Sequence, residues 1–391
     1  MPMKITVASG PHDRRFVPVQ ATIPDCGDAS SAVLSVWNEN KKADDIPATP
    51  LTGQISKSSD GQTTLTFVVP WIPRNGSMEY EVEFVNQPVE LGANLEQTPT
   101  GDIEVTLGGK RLGRYNGSDK WVRPFLEPVS GPFGHSVTRG WPSDGRTDEA
   151  EDHKHHKSIW VAHGDVNGVD NWSEEENCGR QIQKEIVECA GGAVVGVLET
   201  KNDWVSNSGE VVMKDQRKIT FYAMPSGLSL FDVEVELEAS EGPVKLGDTK
   251  EGGILAVRVA TQMDVPRTGR ITNADGGLDE GETWGKRSAW CDYSGLDEGG
   301  NLVGIAVMNH PMSNRYPTHW HVRNYGLMTA NPYGLHDFLG DSSVDGSQTF
   351  EKGEKLWFGY RVFVHAGDAE GGHVDDMFHA YANPPKVVVE A

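Results

Sequence analysis

The sequence predicts an all-β protein, with a small β-sandwich module over residues 1–95 and a large antiparallel β-sandwich over residues 100–391 that carries the functional site. Three observations lead there. At 391 residues the chain exceeds the usual size of one domain. Hydrophobic residues make up only 37% while Gly (45) and Pro (22) are abundant, a balance that suits short strands and tight turns. Helical periodicity is scarce, confined to Val374 to Tyr381 and a turn near Leu335 to Leu339.

In the first hundred residues, apolar runs at Phe16 to Ile23, Ala32 to Trp37 and Thr63 to Val69 read as strands of the small module. Asn86 to Gly101, punctuated by Pro88, Gly92 and Pro99, shows no sustained period and reads as a linker. Strand signals then recur at Ile103 to Leu107, Ala193 to Leu198, Lys218 to Ala223, Leu228 to Leu237, Ile254 to Val259, Leu302 to Met308 and Leu356 to His365. Leu228, Leu230, Val233, Val235 and Leu237 nearly keep a period of two, the mark of a half-buried antiparallel strand. No internal repeat is visible, which argues against a propeller or solenoid.

A formal charge of -22 with no Lys/Arg stripe excludes a nucleic-acid partner and favours a neutral or cationic one. No run approaches the roughly 20 apolar residues that span a bilayer, and Met1 to Val17 lacks the apolar core of a secretory signal. The expectation is a soluble cytoplasmic chain with no membrane partner; a leader removed beforehand would leave the same start. Cys26, Cys178, Cys189 and Cys291 show no metal or disulfide spacing. The GxSxG, P-loop and GxGxxG signatures are missing, which argues against acyl-enzyme chemistry and a nucleotide cofactor. Composition is silent on oligomeric state.

Chemistry concentrates in two segments, Asp152 to Trp172 and Asn309 to His336, which hold eight of the 13 histidines. Histidine gathers where metal ligands or near-neutral acids and bases are needed. In His319-Trp320-His321 the two imidazoles lie two apart, so on a strand they share a face with Trp320 opposite. Together with His155 and His156 they are the expected ligands of a divalent metal, with a metal-free proton-transfer site and a structural role as alternatives. His163 is the expected proton-transfer group, and His163-Gly164-Asp165 also fits half of a mononuclear iron site. Seven of 11 tryptophans, Trp160 and Trp172 among them, fall near these segments and could stack on sugar rings. Lys286, Arg323 and Tyr325 are expected oxyanion or hydroxyl contacts; Arg123, Asn167, Asp170, Asn309 and Asn331 complete a set of donors and acceptors for substrate.

The stretches Arg123-Pro-Phe-Leu, Asp152-His-Lys-His-His-Lys-Ser-Ile-Trp160, His163 to Trp172, Trp284-Gly-Lys-Arg and Thr318 to Tyr333 resemble the PmoA-like family of uncharacterised bacterial proteins over roughly residues 100 to 370. The inherited label of that family, methane oxygenase, belongs to a membrane-embedded subunit, and the missing spanning run argues against it. The resemblance implies the company of sugar dehydrogenases and of enzymes acting on oxidised glycosides. His163 to Trp172 is also similar, more loosely, to a turn of galactose-mutarotase-like proteins, which implies a supersandwich fold. Asp165 stands where that turn has glycine, and the family's C-terminal glutamate base has no counterpart. The leading expectation is a carbohydrate-active enzyme that cleaves or rearranges a small or oligomeric saccharide, for instance a 3-keto-glycoside, by proton abstraction and elimination or by hydrolysis. Two others stand beside it, a non-catalytic carbohydrate-binding sandwich and an iron oxygenase.

Overall fold

A computed structural model describes residues 3–37, 49–58, 60–85 and 92–390. The chain is an all-β sandwich protein, built of antiparallel sheets with three short α-helices among the described residues. No helix among the described residues is long and apolar enough to cross a membrane.

Seven strands form the leading sheet in the order 14–23, 63–72, 51–57, 31–36, 77–85, 3–8, 386–390. Alternation builds it: Ile5 and Val7, or Val17, Val19, Ala21 and Ile23, point to one side and pack with Leu34, Leu65 and Phe67. The Arg14–Ile23 strand reaches the Lys386–Glu390 strand, so the sheet curls around its own core.

Two eight-stranded sheets form the large sandwich. One runs 320–323, 327–330, 252–258, 159–163, 125–127, 110–116, 103–107, 93–97. The other runs 180–190, 195–205, 211–222, 229–238, 355–366, 302–309, 290–296, 270–273. Their facing sides share one apolar core, with Val105, Leu255, Val257 and Met328 from the first against Leu198, Phe221, Val233 and Tyr360 from the second.

In the first of these sheets, six strands pair so that Tyr115, Leu126, Ile159, Val257, Met328 and Val322 form one row across the sheet. All six belong to the core. The next row is Asn116, Phe125, Trp160, Ala256, Thr329 and His321, and it faces outward. At about 4.8 Å per strand this outer row is about 24 Å long.

The division at residues 95–100 needs two corrections. The strand Ala93–Gln97, expected in the linker, is an edge of the large sandwich, because Ala93 and Leu95 alternate into its core. The strand Lys386–Glu390, assigned to the large domain, belongs to the leading sheet, where Val387 and Val389 pack on its core. Part of the linker stretch, 86–91, lies outside the described residues. Ending the chain at Pro385 should therefore destabilise the leading sheet by about 2 kcal/mol, roughly the burial of two partly covered valines. A urea titration would register this as a lower midpoint; an unchanged midpoint would deny the last strand any closing role.

Candidate functional site

The outer row lies under two loops, residues 139–158 and 164–180, and under the turn at 324–326. An arginine shapes the first loop. Arg139, fully buried, donates to the carbonyls of Ala150 (3.0 Å), Asp152 (3.2 Å), His153 (2.9 Å) and His156 (2.9 Å) and to Asp152 Oδ1 at 2.5 Å. Arg258, equally buried, rises from the sheet and reaches Asp152 Oδ2 at 3.1 Å. Burial alone would raise the Asp152 pKa, but the His153 hydrogen bond and the two guanidiniums outweigh it and hold the carboxyl well below the usual range. With its backbone fixed this way, His153 sits at φ 30°, a left-handed conformation that surroundings must enforce on a non-glycine residue.

His153 Nδ1 lies 3.3 Å from Asp152 Oδ2 and its ring is exposed. A carboxylate there accepts the Nδ1 proton and leaves the Nε2 lone pair facing out. His153 is stacked at 4.7 Å on His156 and at 5.0 Å on Tyr325. Arg258 Nη1 donates to His156 Nδ1 at 3.3 Å, so His156 carries its proton on Nε2, a buried atom with no protein partner. His156, Trp160 and Trp172 form a triangle of rings 5.4 to 5.5 Å apart. The indole N–H groups of Trp121, Trp160 and Trp172 also lack a protein acceptor. A wall of unmatched donors is unusual in a folded interior and calls for an acceptor from outside the chain or from water.

Charges tie the second loop to the first. Arg123 donates to Ser173 O (2.9 Å), Glu174 (3.2 Å) and His155 O (3.4 Å), and Lys157 pairs with the same Glu174. Asp170 accepts from the backbone N–H of Trp172 (2.7 Å) and Ser173 (3.0 Å), which sets Trp172 against the wall. Burial, then Arg123, His153 and Lys157, lower the His155 pKa to about 3. Burial followed by the His155 and Arg258 charges takes His156 well below its ordinary value.

The opposite end of the outer row holds His319 and His321, both packed on Phe338, with Trp320 turned into the core. Trp284 Nε1 donates to His321 Nδ1 at 3.0 Å, which again places the imidazole proton on Nε2. Burial, with Arg323 and Lys250 nearby, lowers His321 to about 3; burial, with Arg287 and Arg315, lowers His319 to about 4. Arg323 pairs with Glu280 at 2.9 Å and lies 5.5 Å from the Tyr325 ring, beside Arg258 at 5.0 Å. Burial raises the Tyr325 hydroxyl to about 12.

The four expected metal ligands do not meet. Three strand spacings, about 14 Å, separate the Trp160 and His321 positions, and no three His, Cys, Asp or Glu side chains converge for an ion among the described residues. Chemistry agrees with the geometry. A metal on Nε2 of His156 or His321 would put a proton on Nδ1, against the Arg258 or Trp284 N–H, opposing two donors.

His163 is not part of this outer face either. It is fully buried, its Nε2 lies 3.0 Å from Gly247 O, and a side chain on Gly252 would meet its Nδ1 at 2.7 Å. Asp165 caps Gly168 N at 2.8 Å, so the two form no iron site as they stand. Asn331 holds Thr249 O, Lys250 O and Tyr333 N; Asn309 accepts from Thr318 N; Asn167 ties Lys245 N and Pro243 O. These three are scaffold. Lys286 is exposed, and its carbonyl accepts from Trp320 N at 3.0 Å.

The pairing of Asp152 with His153 and the reach of Arg258 to Asp152 and His156 were not expected from the sequence. Arg258 did leave a signal, a lone cation inside the apolar run Ile254 to Ala260.

His321 depends on pH in a way that can be measured. Its folded pKa lies below the unfolded value of about 6.5, so the stability it contributes is full above that value and is lost as pH falls toward about 3. His321→Asn, which keeps an acceptor for Trp284, should lose less melting temperature than the parent between pH 6.5 and 4. Equal slopes would show that His321 does not stay neutral in the fold.

No curated protein matches the chain. Among solved structures, a polysaccharide lyase matches at 11% identity and a TM-score of 0.30, over 74% of this chain and 34% of that one. The chain thus spans about a third of that lyase. A family model matches residues 102–379, which include every residue of the site just described. On that match the chain belongs to DUF6807, a family of unknown function.

Proposed function

We propose that the chain is a carbohydrate-active enzyme that removes a proton from the carbon beside a sugar carbonyl, as in a 3-keto-glycoside, and so eliminates the glycosidic oxygen. One observation carries this reading: the His153–Asp152 pair stands over a wall of ring N–H donors that have no acceptor in the protein. A carbonyl acidifies its neighbouring C–H, so the reaction needs a base, an acid and donors for the enolate oxygen.

In this scheme His153 Nε2 takes the carbon-bound proton while Asp152 holds Nδ1–H and steadies the imidazolium. Electron density moves to the carbonyl oxygen, which the Nε2–H of His156 receives. Because His156 is neutral, it donates without competing for the proton. The C–O bond then breaks, a double bond forms in the ring, and the leaving oxygen takes the Tyr325 proton. His153 and Tyr325 stack at 5.0 Å, so the proton held by His153 can return to the phenolate. Trp160 and Trp172, both buried, pack on the His156 ring and hold it in place. At the far end, His321 Nε2–H and Arg323 read hydroxyls.

His153→Ala should lower turnover of 3-keto-glycosides by about 10²- to 10⁴-fold with the melting temperature preserved. Tyr325→Phe should lower it as well, with substrate affinity retained. The assay follows the unsaturated product by absorbance. Undiminished turnover in His153→Ala would sink the scheme, and saccharide binding without turnover by the parent would leave a binding sandwich.

A further inference from the structure

The outer face does not stop at the tryptophan wall. Glu127 lies two residues beyond Phe125 on the same strand and therefore faces the same side, opposite Arg114 in register. There a cavity of about 360 Å³ opens, lined among others by Arg114, Lys120, Trp121, Glu127 and Ser143. Its size falls in the range of about 300 to 1,000 Å³ usual for small-ligand sites.

Trp121 is the partition between this cavity and the histidine wall. Its ring meets Phe125 edge-on at 5.1 Å on the wall side, and its buried N–H has no protein acceptor. Lys120 and Lys157 lie 5.0 and 6.0 Å from the Trp121 ring. Arg114 and Arg111 are both spent on Glu104, and Lys157 on Glu174, so the cavity has little free positive charge for a phosphate or sulfate. What remains is an indole with an unmatched N–H, the Lys120 ammonium balanced by the Asp144 carboxylate, the Asn116 amide and the buried Glu127 carboxyl, which accepts from Ser143 Oγ. That mixture suits a neutral ring bearing several hydroxyls.

We infer that this cavity is a second sugar subsite, with Glu127 as its hydroxyl-reading group, so that the substrate is a neutral oligosaccharide of at least two units lying across the sheet. The inference rests on the carbohydrate reading above and fixes the substrate's length class. Burial, with Asp144 and Glu149 nearby, raises the Glu127 pKa to about 7 against the opposing pull of Ser143 and Lys157. Around neutrality the carboxyl therefore changes from donor to acceptor, and Arg114 is the charged group facing it across the strand pair.

The test uses the full chain carrying His153→Ala, which blocks turnover, on an array of neutral mono- to hexasaccharides with native and 3-keto termini. Expected is at least tenfold tighter binding of di- and longer saccharides than of the matching monosaccharide. Adding Glu127→Leu should erase that preference and leave monosaccharide binding in place. Adding Glu127→Gln, which keeps the shape, should retain the preference and abolish its change with pH across neutrality. A length preference that survives Glu127→Leu, or equal binding of mono- and oligosaccharides, overturns the second subsite alone. Absence of binding to every saccharide overturns the carbohydrate reading and this inference with it.

Discussion

Everything on the outer face depends on the register of six strands. Because side chains alternate with a period of two, a slip of one residue would carry Trp160 and His321 into the core and expose Ile159 and Val322. Burying a Leu, Ile or Phe side chain stabilises by about 1.5 to 3 kcal/mol, so the inner row of Tyr115, Leu126, Ile159, Val257, Met328 and Val322 fixes the register firmly. The outer row inherits its alignment from that packing. Residues far apart in sequence, Asn116 and His321 at the extremes, therefore share one face of the sheet without needing contacts of their own.

Electrostatics then sets the state of the histidines. A chain of net charge -22 buries two guanidiniums at its site, Arg139 and Arg258, both paired with Asp152 and with Glu149 and Asp264 close by. Removing Asp152 would leave two buried guanidiniums without their shared carboxylate, which makes Asp152 a structural member of the loop. Burial keeps His155, His156 and His321 neutral, helped by different cations: Arg123 and Lys157 at His155, Arg258 and Arg139 at His156, and Arg323 and Lys250 at His321. Neutral rings whose Nδ1 atoms already accept from Arg258 and Trp284 are hydrogen-bond donors at their other nitrogen. The overall charge, which favours a neutral or cationic partner, is a property of the whole surface and not of one face of the sheet.

The fold was largely legible in the chain because its signal is local. Leu228 to Leu237 shows its period of two, and the observed strand is Ser229–Glu238. The helix at Val374–Ala382 likewise follows from its pattern. The strand Arg180–Ala190 was not visible, since it lies at a sheet edge and keeps mostly polar, solvent-facing residues. At the site, the two histidine segments stood out by density, and the shared face of His319 and His321 followed from spacing. Roles did not follow. Which nitrogen of His156 or His321 carries the proton is decided by Arg258 and Trp284, partners 102 and 37 residues away in sequence. His163 looked like chemistry and is a core residue, because one buried carbonyl at Gly247 is enough to fix a histidine ring.

The pairing of Met3–Ala8 with Lys386–Glu390 also bears on how the protein is made. Long-range pairings are slow to form, since the intervening chain must be ordered before they are rewarded. As the polypeptide emerges, the leading sheet waits with the Met3–Ala8 strand unpaired on one side until Lys386–Glu390 has been synthesised. Unpaired strand edges invite wrong partners, another copy of the same segment above all. The leading sheet is thus completed only after the intervening sandwich has been synthesised, and that sandwich has time to fold before the sheet closes.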